Sequence, residues 1–352
     1  MSAMTALIDS TVRYDLAEST CPPLRFTDDD LKGLADLPLG YGTTRGDLAL
    51  RTLIADSTGV TSDDVLITVG AIHAMSLLPA KRVLLVGPCF PPARSFPESR
   101  GARVDIVSAR FDEAYRLPLD RIEAALDPAT DLVSLASPQN PSGVRVEARD
   151  LEALTGLVAR RAPRCRILID ETYRESVYGD APVPPSAAAL SPAVVTCSSV
   201  SKAHGAPGLR LGWLTTTDPE LYEQARTAKF ETTIACSTID EHLATRVLQR
   251  GTTSGPFLRE ALDLLLAWAA DNPVEIVTPD GGPLCCLRLP AGLDVAKFHA
   301  TLREADTRVA PGAWFGEDDH IVRVGFGHLT LPDLGRALSN VAAALSGQDR
   351  RR

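Results

Sequence analysis

One lysine of this chain lies among residue types that bind phosphate. Lys202 follows Ser199 and Ser201, and a glycine-rich turn separates it from Arg210. A lysine amine that forms an imine must sit in a dry, fixed place where its pKa can fall. Hydroxyl groups and a guanidinium are suitable partners for a phosphate. The segment therefore indicates covalent amine chemistry beside an anion site, although a Ser/Gly-rich loop with one lysine is also a common solvated turn.

Seven short apolar segments, several of them separated by helical patterns, must position this lysine. Such segments are typical of strands in a mostly parallel sheet that helices cover on both faces. Sheets of this kind bind ligands at the carboxyl ends of their strands. The sequence therefore predicts one site from the polar residues that follow the strands. The predicted strands are residues 65–69, 82–86, 103–107, 131–136, 166–170, 193–197 and 211–215, and the predicted helices between them are 47–57, 71–78 and 151–161.

The pattern of the chain changes after about residue 250. A long Leu/Ala helix is predicted over 257–270, followed by a strand at 285–289 and a terminal helix to about 345. A length of 352 residues favours two domains, or one large domain with a smaller one. We predict an α/β fold with a large domain over 46–250, and a smaller α+β domain formed by 1–45 together with 251–352.

Composition and charge exclude several classes of function. The 36 basic and 45 acidic residues give a net charge of −9, which argues against nucleic acid as a partner. No signal peptide pattern and no apolar run of ~18 residues is present, so no membrane partner is expected. The seven cysteines are scattered without a CxxC pair, so we expect no metal site and reduced thiols in the cytoplasm.

The segment around Lys202 resembles the cofactor-lysine segment of fold-type I pyridoxal-phosphate enzymes in the class I/II aminotransferase superfamily. Asp170 stands 32 residues before Lys202, and Tyr173 follows Asp170 by three residues. Asn140 lies in an Asn-Pro-Ser-Gly turn, whose other interpretation is a plain β-turn. Residues 41–51 resemble the family's Tyr-x-x-x-x-Gly-x-x-x-Leu-Arg segment, and 309–316 and 322–326 also match. The resemblance covers residues 41 to 326 in the expected order.

This resemblance implies a partner for each functional group of pyridoxal 5'-phosphate. Lys202 holds the aldehyde as a Schiff base and is the catalytic residue. Asp170 keeps the ring nitrogen protonated, because a carboxylate beside a nitrogen base raises its proton affinity; a helix N-cap is the alternative role for this aspartate. Asn140 and Tyr173 bind the ring oxygen.

The phosphate and the ring faces are also assigned by the resemblance. A helix that begins at Gly70-Ala71-Ile72 directly after a strand offers amides to an anion. Ser199 and Arg210 complete the phosphate site. Phe90 stacks on the ring or, alternatively, packs in the core. Tyr41 reaches the phosphate of the neighbouring subunit, which implies a homodimer with composite sites.

The substrate side is implied by three residues. Arg323 binds the α-carboxylate as a planar fork, and Asn140 assists it. Glu18 stands where a Gly-x-Pro is usual in the family, and it either pairs with a cationic substrate side chain or is a solvated surface glutamate. His204 replaces a common aromatic residue two positions after the lysine, as packing or as an additional acid/base group.

The expected function is amino transfer from an L-amino acid to a 2-oxo acid. The alternative is a pyridoxal-phosphate lyase, cyclase or oxidase that acts on an amino acid, such as an arginine-derived one, in natural-product biosynthesis. A third possibility is a non-catalytic ligand sensor on the same fold. Such regulators carry an added basic DNA-binding domain, and neither the length nor the charge of this chain favours one.

Overall fold

The computed structural model describes residues 9–346, and its largest element is a seven-stranded sheet. The strand order is β2-β8-β7-β6-β5-β3-β4, and only β8 runs antiparallel to its neighbours. The prediction of a mostly parallel seven-stranded sheet is confirmed, and the ends of every predicted strand lie within two residues of the observed ones. The described strands are β1 (Tyr14–Leu16), β2 (Val65–Thr68), β3 (Arg82–Gly87), β4 (Arg103–Ser108), β5 (Leu132–Ala136), β6 (Arg166–Asp170), β7 (Val194–Ser199), β8 (Gly212–Thr216), β9 (Glu275–Ile276), β10 (Leu284–Arg288), β11 (Thr307–Pro311) and β12 (Ile321–Gly325).

Helices cover both faces of this sheet, which explains why its central strands are mostly apolar. Along β3, Leu84 packs into one core cluster and Leu85 into the other, because successive side chains of a strand point to opposite faces. Ile167 and Leu168 alternate in the same way on β6. The described helices are α1 (Leu48–Thr58), α2 (Gly70–Ser76), α3 (Pro91–Ser99), α4 (Leu119–Ala125), α5 (Ala148–Arg161), α6 (Pro219–Thr233), α7 (Thr238–Arg250), α8 (Gly255–Ala270), α9 (Val295–Glu304) and α10 (Leu331–Ser346).

A second, five-stranded sheet is built from both ends of the described chain. Its order is β1-β11-β12-β10-β9, with β1 parallel to β11 and the other pairs antiparallel. A core cluster joins this sheet to α8, α9 and α10 through Leu262, Phe298 and Leu338. The smaller α+β unit predicted after residue 250 is confirmed as a sheet with helices. The strand β1 was not predicted, because three residues carry no periodic signal.

Several helices were also missing from the sequence prediction. The helix α3 contains Pro97 and buries none of its side chains, so no apolar stripe marks it. The helix α4 has only seven residues, with Ile122 alone buried. Elements with so few buried residues form in their tertiary context and are weakly encoded locally. No helix within residues 9–346 is both long and apolar enough to cross a lipid bilayer.

Candidate active site

The carboxyl ends of three adjacent parallel strands bring three predicted site residues to one edge of the large sheet. Asp170 is the last residue of β6, Asn140 lies in the turn after β5, and Lys202 lies in the loop after β7. Backbone bonds tie these loops together: the amide of Ser137 donates to the carbonyl of Asp170 at 2.9 Å, and the amide of Glu171 donates to that of Cys197 at 2.8 Å.

The amine of Lys202 is the centre of a short polar chain. Its Nζ lies 3.4 Å from the hydroxyl of Ser19, to which it donates. That hydroxyl lies 2.9 Å from the hydroxyl of Tyr173. The carboxylate of Glu18 is 3.5 Å from the same amine. The lysine amine is therefore held by two residues from the start of the chain, and Tyr173 in turn holds one of them, Ser19.

Residues 17–24, which we call the N-terminal strap, cross from the small sheet to the lysine loop. Cys21 donates its amide to the carbonyl of Lys202 at 3.4 Å, and Leu24 donates to that of Gly205 at 2.7 Å. Gly205 has a φ of +62°, and a side chain there would come within 2.3 Å of the carbonyl of Pro22. The sequence analysis named Glu18 in this segment but missed Ser19, since an isolated serine gives no signal of where the strap runs.

Asp170 is a desolvated carboxylate without a cationic partner. It accepts bonds from the amide of Thr172 at 3.0 Å and from the hydroxyl of the same residue. Within the described part of the chain it forms no salt bridge. Burial raises its pKa above the usual value, although the Thr172 bonds and the charge of Lys202 act in the opposite direction. A protonated ring nitrogen at this position would supply the missing cation.

Arg323, in contrast to Asp170, is a buried cation, and it too forms no salt bridge within the described residues. It is 2% exposed, donates to the Asn140 side-chain oxygen at 2.8 Å and to the carbonyl of Ala17, and lies 4.6 Å from the ring centroid of Phe315. Its Nε has no hydrogen-bond partner. No carboxylate among residues 9–346 forms a salt bridge with it, and burial lowers its pKa. A substrate carboxylate would satisfy this buried cation and its free donor.

Gly70 and Arg210 form the part of the site that suits a phosphate. Gly70 begins α2 with a φ of +72°, and a Cβ on it would lie 2.8 Å from Nη2 of Arg210. The guanidinium therefore occupies space that only glycine leaves open. Ser199 pairs with Gly212 between β7 and β8, and Gly212 itself lies against Gly70 and Ala71, so these predicted phosphate residues are brought together. Ile72, in contrast, is 44% exposed on the outer surface.

We expect Gly70→Ala to lower the affinity for pyridoxal phosphate by about tenfold, because the new methyl group displaces the Arg210 guanidinium. Gly59→Ala is the matched control, since Gly59 has a φ of +73° but no atom within 4 Å of an added Cβ. Both variants carry the same backbone strain. Titration of the apoprotein with the cofactor gives the two dissociation constants. Equal constants would show that Arg210 does not bind the phosphate through this contact.

Three other predicted residues lie apart from this polar centre or are held differently than expected. Phe90 follows β3 at the same sheet edge and is half-buried, so its ring stacking stays a prediction. The side chain of Tyr41 is 89% exposed and has no hydrogen bond within the described chain. His204 is buried with Nε2 2.9 Å from a carboxylate oxygen of Glu175, which makes it part of a polar pair rather than simple packing.

A surface cavity of about 740 Å³ lies away from these residues, between residues 108–112 and the small sheet. Arg288, which lines it, is already paired, since it lies 2.6 Å from Asp112 and 3.2 Å from Glu275. It contains neither an unpaired buried charge nor a lysine. The chemical arrangement, and not cavity size, therefore identifies the site around Lys202.

Comparison with known proteins gives one family. The model of the family "Aminotransferase class I and II" matches residues 24–340. Among curated proteins, an arginine–pyruvate transaminase of Pseudomonas aeruginosa is 28% identical over 337 residues, which cover 88% of this chain and 84% of that protein. A capreomycidine synthase of Streptomyces vinaceus is 28% identical over 345 residues, with coverage of 94% and 87%.

Solved structures show the same fold. A pyridoxal-phosphate-dependent aminotransferase of Streptococcus suis superposes with a TM-score of 0.85 at 24% identity, over 97% of this chain and 95% of that one. An α-aminoadipate aminotransferase of Thermus thermophilus, complexed with a phosphopyridoxyl-leucine adduct, superposes with a TM-score of 0.84 at 23% identity, over 99% and 95%. The predicted fold type is thereby confirmed.

Proposed function

As a member of the aminotransferase class I and II family, this chain is a pyridoxal-phosphate-dependent aminotransferase, and we propose that Lys202, Asp170 and Arg323 carry its reaction. The observation that supports the assignment of residues is a pair of desolvated charges that form no salt bridge. Neither Asp170 nor Arg323 has a salt-bridge partner among residues 9–346, and burial dominates the pKa shift of each. A cofactor with a protonated ring and a substrate with a carboxylate would satisfy both.

The residues present fit the cofactor at each of its groups. Lys202 would hold it covalently as a Schiff base, and Asp170 would bind its ring nitrogen. Asn140 and Tyr173, both buried at the same sheet edge, are placed for its ring oxygen. The list of proposed phosphate ligands is Gly70, Ala71, Ile72, Ser199 and Arg210, with Phe90 against the ring. When bound, pyridoxal phosphate supplies an electron sink for the charge that develops at the substrate Cα.

The residues around the lysine divide the work of binding and proton transfer. Arg323 and Asn140 fix the substrate carboxylate, which orients the Cα–H bond toward the lysine amine. Once released from its covalent linkage, Lys202 is the base that removes the proton from Cα. The hydroxyls of Ser19 and Tyr173 keep the amine at this position through their hydrogen bonds.

We propose a cationic L-amino acid, of which arginine is the first example, as the amino donor and a 2-oxo acid as the acceptor. Support comes from two relatives: one is named an arginine–pyruvate transaminase and another a capreomycidine synthase. The second name also supports the other reaction class, in which the carbanion is diverted into elimination, cyclisation or oxidation. The carboxylate of Glu18 beside the lysine is a feature that such a reaction could use.

A single-turnover experiment separates the two reactions. Purified holoenzyme is mixed with a panel of amino acids without any acceptor, and the visible absorbance of the bound cofactor is followed. Stoichiometric pyridoxamine phosphate and oxo acid, with turnover restored by pyruvate, would establish transamination and identify the donor. Release of ammonia or uptake of oxygen without accumulation of pyridoxamine phosphate would assign the diverted reaction instead.

We further propose that the active unit is a homodimer. Large apolar side chains are exposed on this chain, and two of them, Val69 and Ile72, flank Gly70 in the phosphate part of the site. His73 links two parts of this face, because it lies 3.1 Å from the amide of Val69 and 3.0 Å from the hydroxyl of Thr232. The exposed residues are Leu39, Tyr41, Leu48, Val69, Ile72, Phe230, Ile234 and Ile239. A second copy of the chain would cover them.

Tyr41 provides a test of composite sites. If its hydroxyl reaches the partner's cofactor phosphate, Tyr41→Phe should lower cofactor affinity by about tenfold. The free energy of unfolding of the apoprotein should not change, because the side chain is 89% exposed within its own chain. Cofactor titration measures the affinity, thermal unfolding measures the stability, and the solution mass shows whether the holoenzyme is a dimer. A monomeric holoenzyme, or an unchanged affinity in Tyr41→Phe, would contradict the composite site.

Two coarser proposals concern organisation and location. We propose that the domains are 46–250 and 1–45 with 251–352; the pairing of β1 with β11 supports the placement of the first residues with the last.

We propose a cytoplasmic location. It is supported by seven free cysteines, five of which are no more than 2% exposed. Limited proteolysis at the two boundaries and localisation of a tagged chain would test these proposals.

A further inference from the structure

The carboxylate of Glu18 lies at the reacting nitrogen and is held there. Its Oε1 is 3.5 Å from Nζ of Lys202 and also accepts a bond from the amide of Ser19 at 2.7 Å. The backbone behind it is fixed as well, because the Glu18 carbonyl packs so closely on Gly325 that an added Cβ there would lie 1.7 Å from it. The preceding carbonyl, of Ala17, accepts from Arg323.

Lys202 and Arg323 face Glu18 from two of the elements that surround it. Desolvation acts to raise its pKa, but the charges of Lys202, His328 and Arg323 and the Ser19 amide outweigh it, so the pKa is lowered. Lys202 comes from the loop after β7, Arg323 from β12, and His328 from the segment after β12, where its Nδ1 lies 3.3 Å from the Thr20 hydroxyl. Glu18 is therefore an anion in the resting chain.

The position of Glu18 suits the α-amine of a substrate better than the end of a substrate side chain. Arg323 fixes the carboxylate, and Lys202 marks the position at which the α-nitrogen must react. The carboxylate of Glu18 is within contact distance of that same nitrogen position. The cationic end of an arginine-like side chain is several bonds farther from Cα. A carboxylate at the reacting nitrogen can exchange a proton with it.

We propose that Glu18 is a catalytic proton acceptor for the reacting amine; this inference rests on the proposed function. Its carboxylate keeps the Lys202 nitrogen protonated in the holoenzyme and takes a proton from the incoming substrate ammonium group. An N–H bond of the substrate ammonium group breaks and a carboxyl O–H bond forms, which leaves the substrate nitrogen with the free electron pair that it would need to take the place of Lys202 on the cofactor. Lys202 would leave as the neutral amine that can act as the base at Cα, and Glu18 returns the proton to it only after the Cα proton has been transferred. The carboxylate–ammonium pair that results is the arrangement seen at 3.5 Å.

A spectroscopic titration tests the first part without any turnover. The visible absorbance of the bound cofactor reports protonation of the Lys202 nitrogen, and its midpoint is measured from pH 5 to 10 (about the stable range). Glu18→Gln keeps the shape and the acceptor for the Ser19 amide but removes the charge. We expect the midpoint to fall by about one pH unit, a value reduced for the partial exposure of the carboxylate. Glu18→Asp should restore part of the shift.

Asp263→Asn is the matched control for the loss of one negative charge, since Asp263 is exposed on α8 and pairs with Arg259. The pH midpoint of the absorbance change in Asp263→Asn should equal that of the wild type. An unchanged midpoint in Glu18→Gln would overturn the proposal. Absence of the visible band in the wild type with Lys202 intact would overturn it too, together with the assignment of Lys202.

Single-turnover rates with alanine, aspartate and arginine test the second part. Glu18→Gln should lower the rate constant about 10²-fold for every donor that reacts near neutral pH. The deficit should shrink as the pH approaches the pKa of the donor ammonium group, because the donor then arrives deprotonated. A loss confined to arginine would make Glu18 a side-chain receptor and overturn the proposal. A shifted midpoint without transamination of any donor by the wild type would instead refute the proposed function alone.

Discussion

Lys202→Ala is expected to lower the rate of amino transfer by at least about 10⁴-fold. The substitution removes both the covalent hold on the cofactor and the base that takes the Cα proton. The fold should persist, because the side chain is partly exposed and its amine bonds only to strap residues. Steady-state rates measure the loss, and borohydride reduction followed by peptide mass analysis shows which lysine carries the cofactor.

Two other lysines make this experiment decisive. Lys32 is exposed and pairs with Asp29, so Lys32→Ala should keep full activity. Lys229 is the rival, because it is fully buried and burial lowers its pKa, as a reactive lysine would require. Its amine, however, donates to the carbonyl of Thr44 at 2.8 Å instead of facing Asp170. A phosphopyridoxyl label on Lys229 in the wild type would contradict the assignment of Lys202.

Asp170→Asn is expected to lower the turnover number by about 10²- to 10⁴-fold. The amide keeps the volume and can still accept from Thr172, but it cannot hold the ring nitrogen in its protonated form. Without that charge the ring is a weaker electron sink, so the barrier to removal of the Cα proton rises. Asp170→Glu retains the charge and should recover more activity than the amide if its longer side chain reaches the ring nitrogen.

Asp170→Asn should stabilise the apoprotein, although it lowers the turnover number. The folded pKa of Asp170 is raised by burial, so ionisation of this carboxyl opposes folding at neutral pH. Asp170→Asn should therefore raise the free energy of unfolding of the apoprotein at pH 7. The gain should disappear as the pH falls to about 3.8 and below, where the carboxyl is protonated in both states. Urea unfolding at both pH values measures it, and an apoprotein destabilised at pH 7 would contradict the argument.

Local sequence patterns predict the large sheet and the residues at one of its edges. Apolar runs that end in Asp170 or shortly before Lys202 predict parallel strands covered on both faces, and such strands carry their ligands at their carboxyl ends. Both residues therefore follow from local pattern, because each lies within a few residues of the strand that positions it. Resemblance to a family added the significance of the 32-residue separation between Asp170 and Lys202. It also assigned each side chain to a functional group of the cofactor or of the substrate.

The other residues that approach the lysine come from distant parts of the chain, and folding alone brings them there. Ser19 and Lys202 are 183 residues apart, as are Asn140 and Arg323, and neither pair has a signal in the sequence. The N-terminal strap has no hydrophobic period; a few backbone bonds and its close approach to Gly325 fix its course. Hydrophobic periodicity in a sequence predicts only those elements that bury a regular face. The strap is held by single contacts and has no such face. The position of Glu18 at the reacting nitrogen is therefore a property of the folded chain alone.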